Sequence, residues 1–335
     1  MKIIFTICSN NYLAQAKALG DSLKKTNPDY HFFIGLVDIL SPEINYDMIG
    51  YNIIPANEID IPYFESLWKK YKIVELNTCV KPFYLEYFTK KYVNLEYLMY
   101  FDPDTFIYGK ISEIENELIN NKEILLTPHI LSPIPLDGKN PGENTFLNYG
   151  IYNLGFIAIK NPKNNTSFFR WWSERTYKVG FDIVSQGFFV DQLWINLIPI
   201  YYSNVCVSKN PGLNMAPWNL HERILAKNDI DNWIVNENQN LIFYHFSNYK
   251  YTSPEILASY YDRYGFEDRK DLVVFYKEYL DHLLNNNIEQ VSKIECKYIQ
   301  MRNSFLQQQN LTVNINSKNN SLTGKIKNNL KRFFR

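Results

Sequence analysis

The 335-residue sequence predicts a layered α/β fold, a largely parallel sheet covered by helices on both faces. Short apolar runs alternate with amphipathic helical patterns through the first 250 residues. The runs are nearly continuous in hydrophobicity, as strands buried on both faces are. Ser9, Asp38, Asp102 and His245 each fall at or just past the end of such a run. In open α/β sheets, ligands bind in the crevice beyond the carboxyl ends of the strands.

The first strand is "KIIFTI" (2–7), too short and too soon broken by Ser9, Asn10 and Asn11 to be a signal peptide. In "NYLAQAKALGDSLKK", Leu13, Ala16, Leu19 and Leu23 share one helical face at a 3.6-residue period. "HFFIGLV" (31–37) and "YNIIP" (51–55) are further strands, followed by a helical pair across about 63–90 and the strand that ends at Asp102. "EILLTP" (123–128), "NLGFIAIK" (153–160) and "LIFYHF" (241–246) complete the expected sheet. The segment 128–147 has four prolines, two glycines and no periodicity, and is expected to be a long loop, either at the site or a plain surface excursion. Residues 255–300 read as helices, with Phe275, Tyr279, Leu283 and Leu284 on one stripe. These patterns divide the chain into a catalytic domain (1–250), a helical extension (251–302) and a basic, poorly ordered tail (303–335) rich in Asn, Gln, Ser and Lys.

The composition is globular, 46% hydrophobic and 21% charged, and long enough to bury a sizeable core. Net charge is zero, but eight basic residues and no acidic one follow Glu295. Residues 1–295 therefore hold 27 basic (35 less those eight) against 35 acidic residues, about −8. An acidic body without a basic groove argues against nucleic acid as a partner. Cys8, Cys79, Cys206 and Cys296 form no metal or disulfide pattern and read as reduced thiols of a cytoplasmic protein. No run approaches the roughly 20 apolar residues of a membrane span. Each Lys or Arg near anionic lipid contributes about 1 kcal/mol, so the 318–335 tail with Phe333 and Phe334 is expected either to rest on the inner membrane face or to be a disordered, solubilising tail.

The chemistry centres on "YFDPDTFIYG", where Asp102 and Asp104 flank Pro103. Two carboxylates about 4 Å apart repel by roughly 4 kcal/mol at an effective dielectric near 20, so a cation is expected between them. Asp-x-Asp occurs about once by chance in a chain of this length. A second copy, Asp229 and Asp231 in "NDIDN", has no strand leading into it and reads as a solvated turn. His245 closes "LIFYHF" and completes two carboxylates and an imidazole, a donor set for Mn²⁺ or Mg²⁺.

Taken in order, "FTICSNNYLAQAKALGDSLKK", "YFDPDTFIYG", "YNLGFIAI", "VDQLWIN" and "YHFSNYK" resemble the GT-A-fold glycosyltransferases, most closely glycosyltransferase family 8 and its bacterial relatives. The resemblance covers roughly residues 1–250 and implies a Rossmann-like mixed sheet. It further implies a retaining, metal-dependent transfer of a hexose from a UDP-sugar. The acceptor would be a saccharide in bacterial surface polysaccharide synthesis, and the basic tail adds the expectation of a lipid-linked one. Thr6, Ile7, Cys8 and Ser9 would hold the nucleobase, Asp38 would lie near the base or ribose, and Lys81 would face the phosphates. Asp102, Asp104 and His245 would ligate the metal, Asp102 also touching the donor, with Lys250 on the diphosphate. Asn153, Asp191 and Gln192 would line the donor sugar and the reaction centre. The sequence departs from the family at Asn248, where glycine is usual, and at Tyr251-Thr252, where Pro-Trp is usual.

In "NMAPWNLHER", Trp218 is expected either to stack on an acceptor sugar or to pack internally, and Arg223 either to pair with acceptor or phosphate or to be buried. If the reaction inverts, a carboxylate must act as base, with Asp191 and Glu222 the candidates. A nucleotidyltransferase would need a Gly-rich basic loop after the first strand, which "CSNNYLAQ" lacks. A non-catalytic sugar-binding scaffold is the rival from another class.

Overall fold

A computed structural model describes residues 1–229 and 231–309. Strands β1 (Lys2–Cys8), β2 (His31–Leu36), β3 (Asn52–Pro55), β4 (Tyr97–Phe101), β6 (Ile124–Leu126), β7 (Phe156–Lys160) and β10 (Val205–Val207) make one sheet in the order β10-β6-β7-β4-β1-β2-β3. β1 to β4 pair in parallel, whereas β7 runs antiparallel between β4 and β6. The sheet is thus mixed and mostly parallel. β1 and β4 are buried along nearly their whole length, which explains their unbroken apolar runs.

Helix α1 (Leu13–Thr26) buries Leu13, Ala16, Leu19 and Leu23 on one side of the sheet, the expected face. The expected helical pair is three helices, α2 (Phe64–Lys70), α3 (Ile73–Cys79) and α4 (Lys81–Lys91), which join α7 (Thr166–Val179) on the other side. α5 (Ser112–Glu117) follows β5 (Thr105–Ile107). After α7 come the hairpin β8 (Asp182–Ile183) and β9 (Phe188–Phe189), tied to α3 through Glu75, and the short helices α8 (Gln192–Ile195) and α9 (Ile198–Tyr201). A small antiparallel sheet contains β11 (Leu225–Lys227), β12 (Trp233–Val235) and β13 (Gln239–Asn240).

Further expectations need correction. "LIFYHF" does not enter the main sheet: β14 (Phe243–His245) pairs antiparallel with β5. The proline-rich segment is a loop to residue 142, but its end folds as α6 (Glu143–Tyr149), whose buried Phe146 anchors it on Ala216 and Trp218.

The C-terminal region is helical in α10 (Asp271–Asn285), in α11 (Ile288–Val291) and over 297–309. The buried stripe of α10 is Leu272, Phe275, Tyr276, Tyr279 and Leu283, while Leu284 is exposed. Residues 251–270 are irregular rather than helical, organised by two buried arginines. Arg263 clasps Asp137 with two 2.8 Å bonds, and Arg269 grips the carbonyls of Leu220 and Arg223. Residues 303–309 of the segment expected to be poorly ordered continue a helix, and the membrane-contact expectation for 318–335 lies outside the described residues. No helix of the described residues is long and apolar enough to cross a membrane.

Candidate active site

β4 ends at Phe101 and the chain turns at once. Pro103 occupies the second position of a tight turn closed by a 3.1 Å bond from Thr105 N to the Asp102 carbonyl. Both carboxylates therefore emerge together at the carboxyl end of the sheet. Pairing of β14 with β5 sets His245 opposite Thr105, one residue from Asp104. Two backbone bonds of 2.8 Å, His245 N to Met215 O and Phe246 N to Asp104 O, fix that register. Nε2 of His245 lies 3.0 Å from Asp104 Oδ1 and 3.8 Å from Asp102 Oδ2.

One donor atom from each of Asp102, Asp104 and His245 lies within 4.8 Å of the other two. The Asp102 Oδ1 atom accepts from the Tyr100 hydroxyl, so Oδ2 is left facing the trio. Burial works to lower the His245 imidazole, but the Asp104 and Asp102 carboxylates outweigh it and hold it above its usual value. The ring fits against Gly155, where a Cβ would stand 2.4 Å from its Cε1. Two carboxylate oxygens and an imidazole nitrogen suit Mn²⁺ or Mg²⁺, and one carboxylate already has a hydrogen-bond partner orienting it from behind. The residues present fit such an ion.

A cavity of about 1140 Å³ opens beside the trio and is lined also by Asn153, Asp191 and Gln192. Asp191 is the residue before α8 and is buried against Lys81 at the start of α4, with Nζ 2.6 Å from Oδ2. Burial pushes the Asp191 carboxyl up, with Lys81 working against it. Lys81 also donates to the Leu154 carbonyl (2.7 Å) and lies 4.2 Å from the Tyr100 ring centroid. Its charge is thus directed at Asp191, not held free for phosphate. Gln192 accepts from Leu154 N and donates to the Tyr149 carbonyl, both at 2.9 Å, leaving one amide hydrogen for the cavity. The Asn153 carbonyl oxygen accepts from Gly155 N and the Asn214 amide, fixing its orientation.

Other expected residues lie elsewhere. Thr6, Ile7, Cys8, Ser9 and Asp38 are buried and none lines the cavity. The Asp38 carboxylate accepts from the backbone N–H groups of Asn10, Ile39 and Lys297. Burial pushes its carboxyl up despite those donors. Beside it Cys296 Sγ contacts the Val37 carbonyl and Tyr298 stacks on Trp68, so the C-terminal segment closes the crevice at the ends of β1 and β2. Arg223 is 1% exposed and donates to the carbonyls of Pro211 and Leu213, which is the packing alternative. Burial pushes its guanidinium down to about 10. Glu222 is held by Leu131 N, Ser132 and Arg223 and does not line the cavity. Trp218 does line it, but with its ring 5.2 Å edge-on to His245, where it supports the imidazole. Lys250 lines the cavity from the turn after His245. The second Asp-x-Asp is a surface turn, with Asp231 paired to Lys227 at 2.9 Å.

Sequence reasoning missed several lining residues: Tyr12, Asn11, Gln15, Tyr149 and Phe189. The Asn11 Oδ1 and Gln15 Oε1 atoms are buried without hydrogen-bond partners among the described residues. Their i,i+4 spacing beside Tyr12 was the available signal. Tyr12 is 44% exposed, and its hydroxyl is pushed up to about 12 by burial with help from Asp104 and Asp102.

No family model matches the chain. It is 27% identical over 286 residues to the uncharacterised protein YfnF of Bacillus subtilis, covering 84% of this chain and 92% of that one. It is 24% identical over 291 residues to YfnD of the same organism, covering 83% and 87%. Among the solved structures to which it is similar are glycosyltransferases. One is the galactosyltransferase LgtC in complex with donor and acceptor sugar analogues, at 15% identity and a TM-score of 0.48, covering 90% of this chain and 100% of that one. Another is GlyE of Streptococcus pneumoniae, at 15% identity and a TM-score of 0.45, covering 88% and 65%.

Proposed function

We propose that the chain is a glycosyltransferase that moves a hexose from a UDP-sugar to a saccharide acceptor with retention at the anomeric carbon. The observation that carries this reading is the one cavity lined by the Asp102–Asp104–His245 trio together with Asn153, Asp191 and Gln192. Its volume, about 1140 Å³, slightly exceeds the usual range for one small ligand and suits two substrates. A divalent cation held by the trio supplies Lewis-acid stabilisation of the charge that develops on the departing diphosphate.

The chain's own groups do the rest. The Lys250 ammonium, which lines the same cavity, adds positive charge there. Asp191, fixed by Lys81, presents a preorganised negative group to the sugar as it gains oxocarbenium character. Gln192, fixed at both ends of its amide, directs one N–H into the cavity. Retention is supported by the state of the two candidate bases. Asp191 is tied to Lys81, and Glu222 is tied to Leu131, Ser132 and Arg223 away from the cavity. The acceptor proton then passes to the departing phosphate oxygen.

The test is a panel of UDP-sugars incubated with Mn²⁺, with and without chelator, for wild type and Asp104→Ala. Hydrolysis or transfer should fall roughly 10²-fold in both chelator and the variant, the scale of losing an electrostatic stabiliser. Full activity in chelator, or in Asp104→Ala, would overturn the mechanism. Glycan binding without metal-dependent UDP binding in calorimetry would favour the scaffold.

A further inference from the structure

We propose that the acceptor is an uncharged saccharide and that Tyr149 and Phe189 form the surface on which it rests, an inference that builds on the sugar-transfer reading above. An acceptor hydroxyl has to reach the donor's anomeric carbon, so the acceptor is placed beside Gln192, in the cavity that the trio also lines. Tyr149, the last residue of α6, takes the Gln192 amide on its carbonyl. Its ring meets Phe189 edge to face with centroids 4.8 Å apart, and both line the cavity.

One wall of this cavity comes from residues 140–149. Asn140, Asn144, Thr145 and Asn148 line the cavity there, and none carries a charge. Amides and a hydroxyl beside aromatic rings are the complement of a sugar, whose C–H face packs on a ring and whose hydroxyls exchange hydrogen bonds. The charges nearby offer nothing to an anion. Lys81 is paired with Asp191, and burial pushes the neighbouring His129 imidazole down to about 4, where it is neutral. Lys250 follows the turn after His245 and is not part of the 140–149 wall. Asp182, paired across the hairpin from Phe189, adds a carboxylate to the lining. A phosphorylated or uronic sugar therefore meets repulsion from Asp182 and no counter-charge from the 140–149 wall.

The wall is also braced. The Asn140 carbonyl accepts from Asp262 N and Arg263 N, and Arg263 holds Asp137 with both arms. This brace keeps the platform in place before the acceptor arrives.

The experiment compares wild type, Tyr149→Ala, Tyr149→Phe and Phe189→Ala in transfer to neutral glycosides, sugar phosphates and uronic acids, with acceptor-free donor hydrolysis measured in parallel. Wild type should favour the neutral glycosides at least tenfold. The alanine variants should raise acceptor KM about tenfold, the scale of one lost aromatic contact, and more than they raise donor KM; Tyr149→Phe should restore most of it. An unchanged acceptor KM in both alanine variants, or a preference for the anionic sugars, would overturn the proposal while leaving donor hydrolysis intact. Absence of donor hydrolysis in wild type would remove the sugar-transfer reading itself, and this inference with it.

Discussion

Replacing Gly155 by alanine should disable the trio from outside it. A Cβ at position 155 would stand 2.4 Å from His245 Cε1, 2.7 Å from its Nδ1 and 2.8 Å from the Asn153 carbonyl oxygen. Ordinary contact begins near 3.4 Å, so the imidazole must withdraw by about 1.0 Å (3.4 less 2.4). Trp218 packs against the same ring, and the His245 backbone is pinned to Met215, so retreat is restricted. Metal–ligand distances tolerate about 0.2 Å, and a misplacement of about 1 Å can cost roughly 100-fold in rate. Overpacking of this kind also costs about 1–3 kcal/mol of stability. Manganese binding in the presence of UDP, followed by electron paramagnetic resonance, reads the site directly, and donor hydrolysis reads its consequence. Both should fall about 100-fold while circular dichroism stays native. Gly265→Ala is the control, since its Cβ would meet only Asp268 at 3.9 Å. A Gly155→Ala protein with wild-type manganese affinity and turnover would refute the reasoning.

Lys81→Met should destabilise the fold by about 3–5 kcal/mol in urea titration by stranding the buried Asp191, and adding Asp191→Asn should recover much of that; strictly additive losses would argue against the pair. Stability should also fall at acid pH through His129. Burial holds its folded-state value near 4 against the usual 6.5, so the unfolded chain takes the proton first. The contribution is complete above pH 6.5 and declines by roughly 3 kcal/mol as pH falls toward 4; His129→Gln should flatten that part of the profile. Tyr298→Ala should cost about 3 kcal/mol and shift Trp68 fluorescence to the red, because Tyr298 covers that indole at the ends of β1 and β2; a loss under about 1 kcal/mol would mean the segment is not an integral wall.

Much of the layered fold was legible because burial on both faces leaves its mark on the strand itself. β1, β2 and β4 read as apolar runs wherever their partners lie. The carboxylate pair was legible for a related reason, since Pro103 and the strand before it separate Asp102 and Asp104 from the chance copy at Asp229 and Asp231. "LIFYHF" shows where such reading stops. An apolar run announces a buried strand but not its partner, and β14 went to the three-residue β5 instead of the main sheet. Arg263 and Arg269 likewise organise a segment with no periodicity through carbonyl contacts that leave no local pattern.

Asp38 marks the division most clearly. The sequence by itself determined that a carboxylate would end the second strand, because alternation and burial are properties of neighbouring residues. Whether that carboxylate faced a ligand was decided by Lys297, whose backbone N–H reaches it from the far end of the chain. His245 and Asp104 meet for the same reason. Which distant segments come together depends on which packing buries the most apolar surface with every backbone group paired, and that is settled by the whole chain at once.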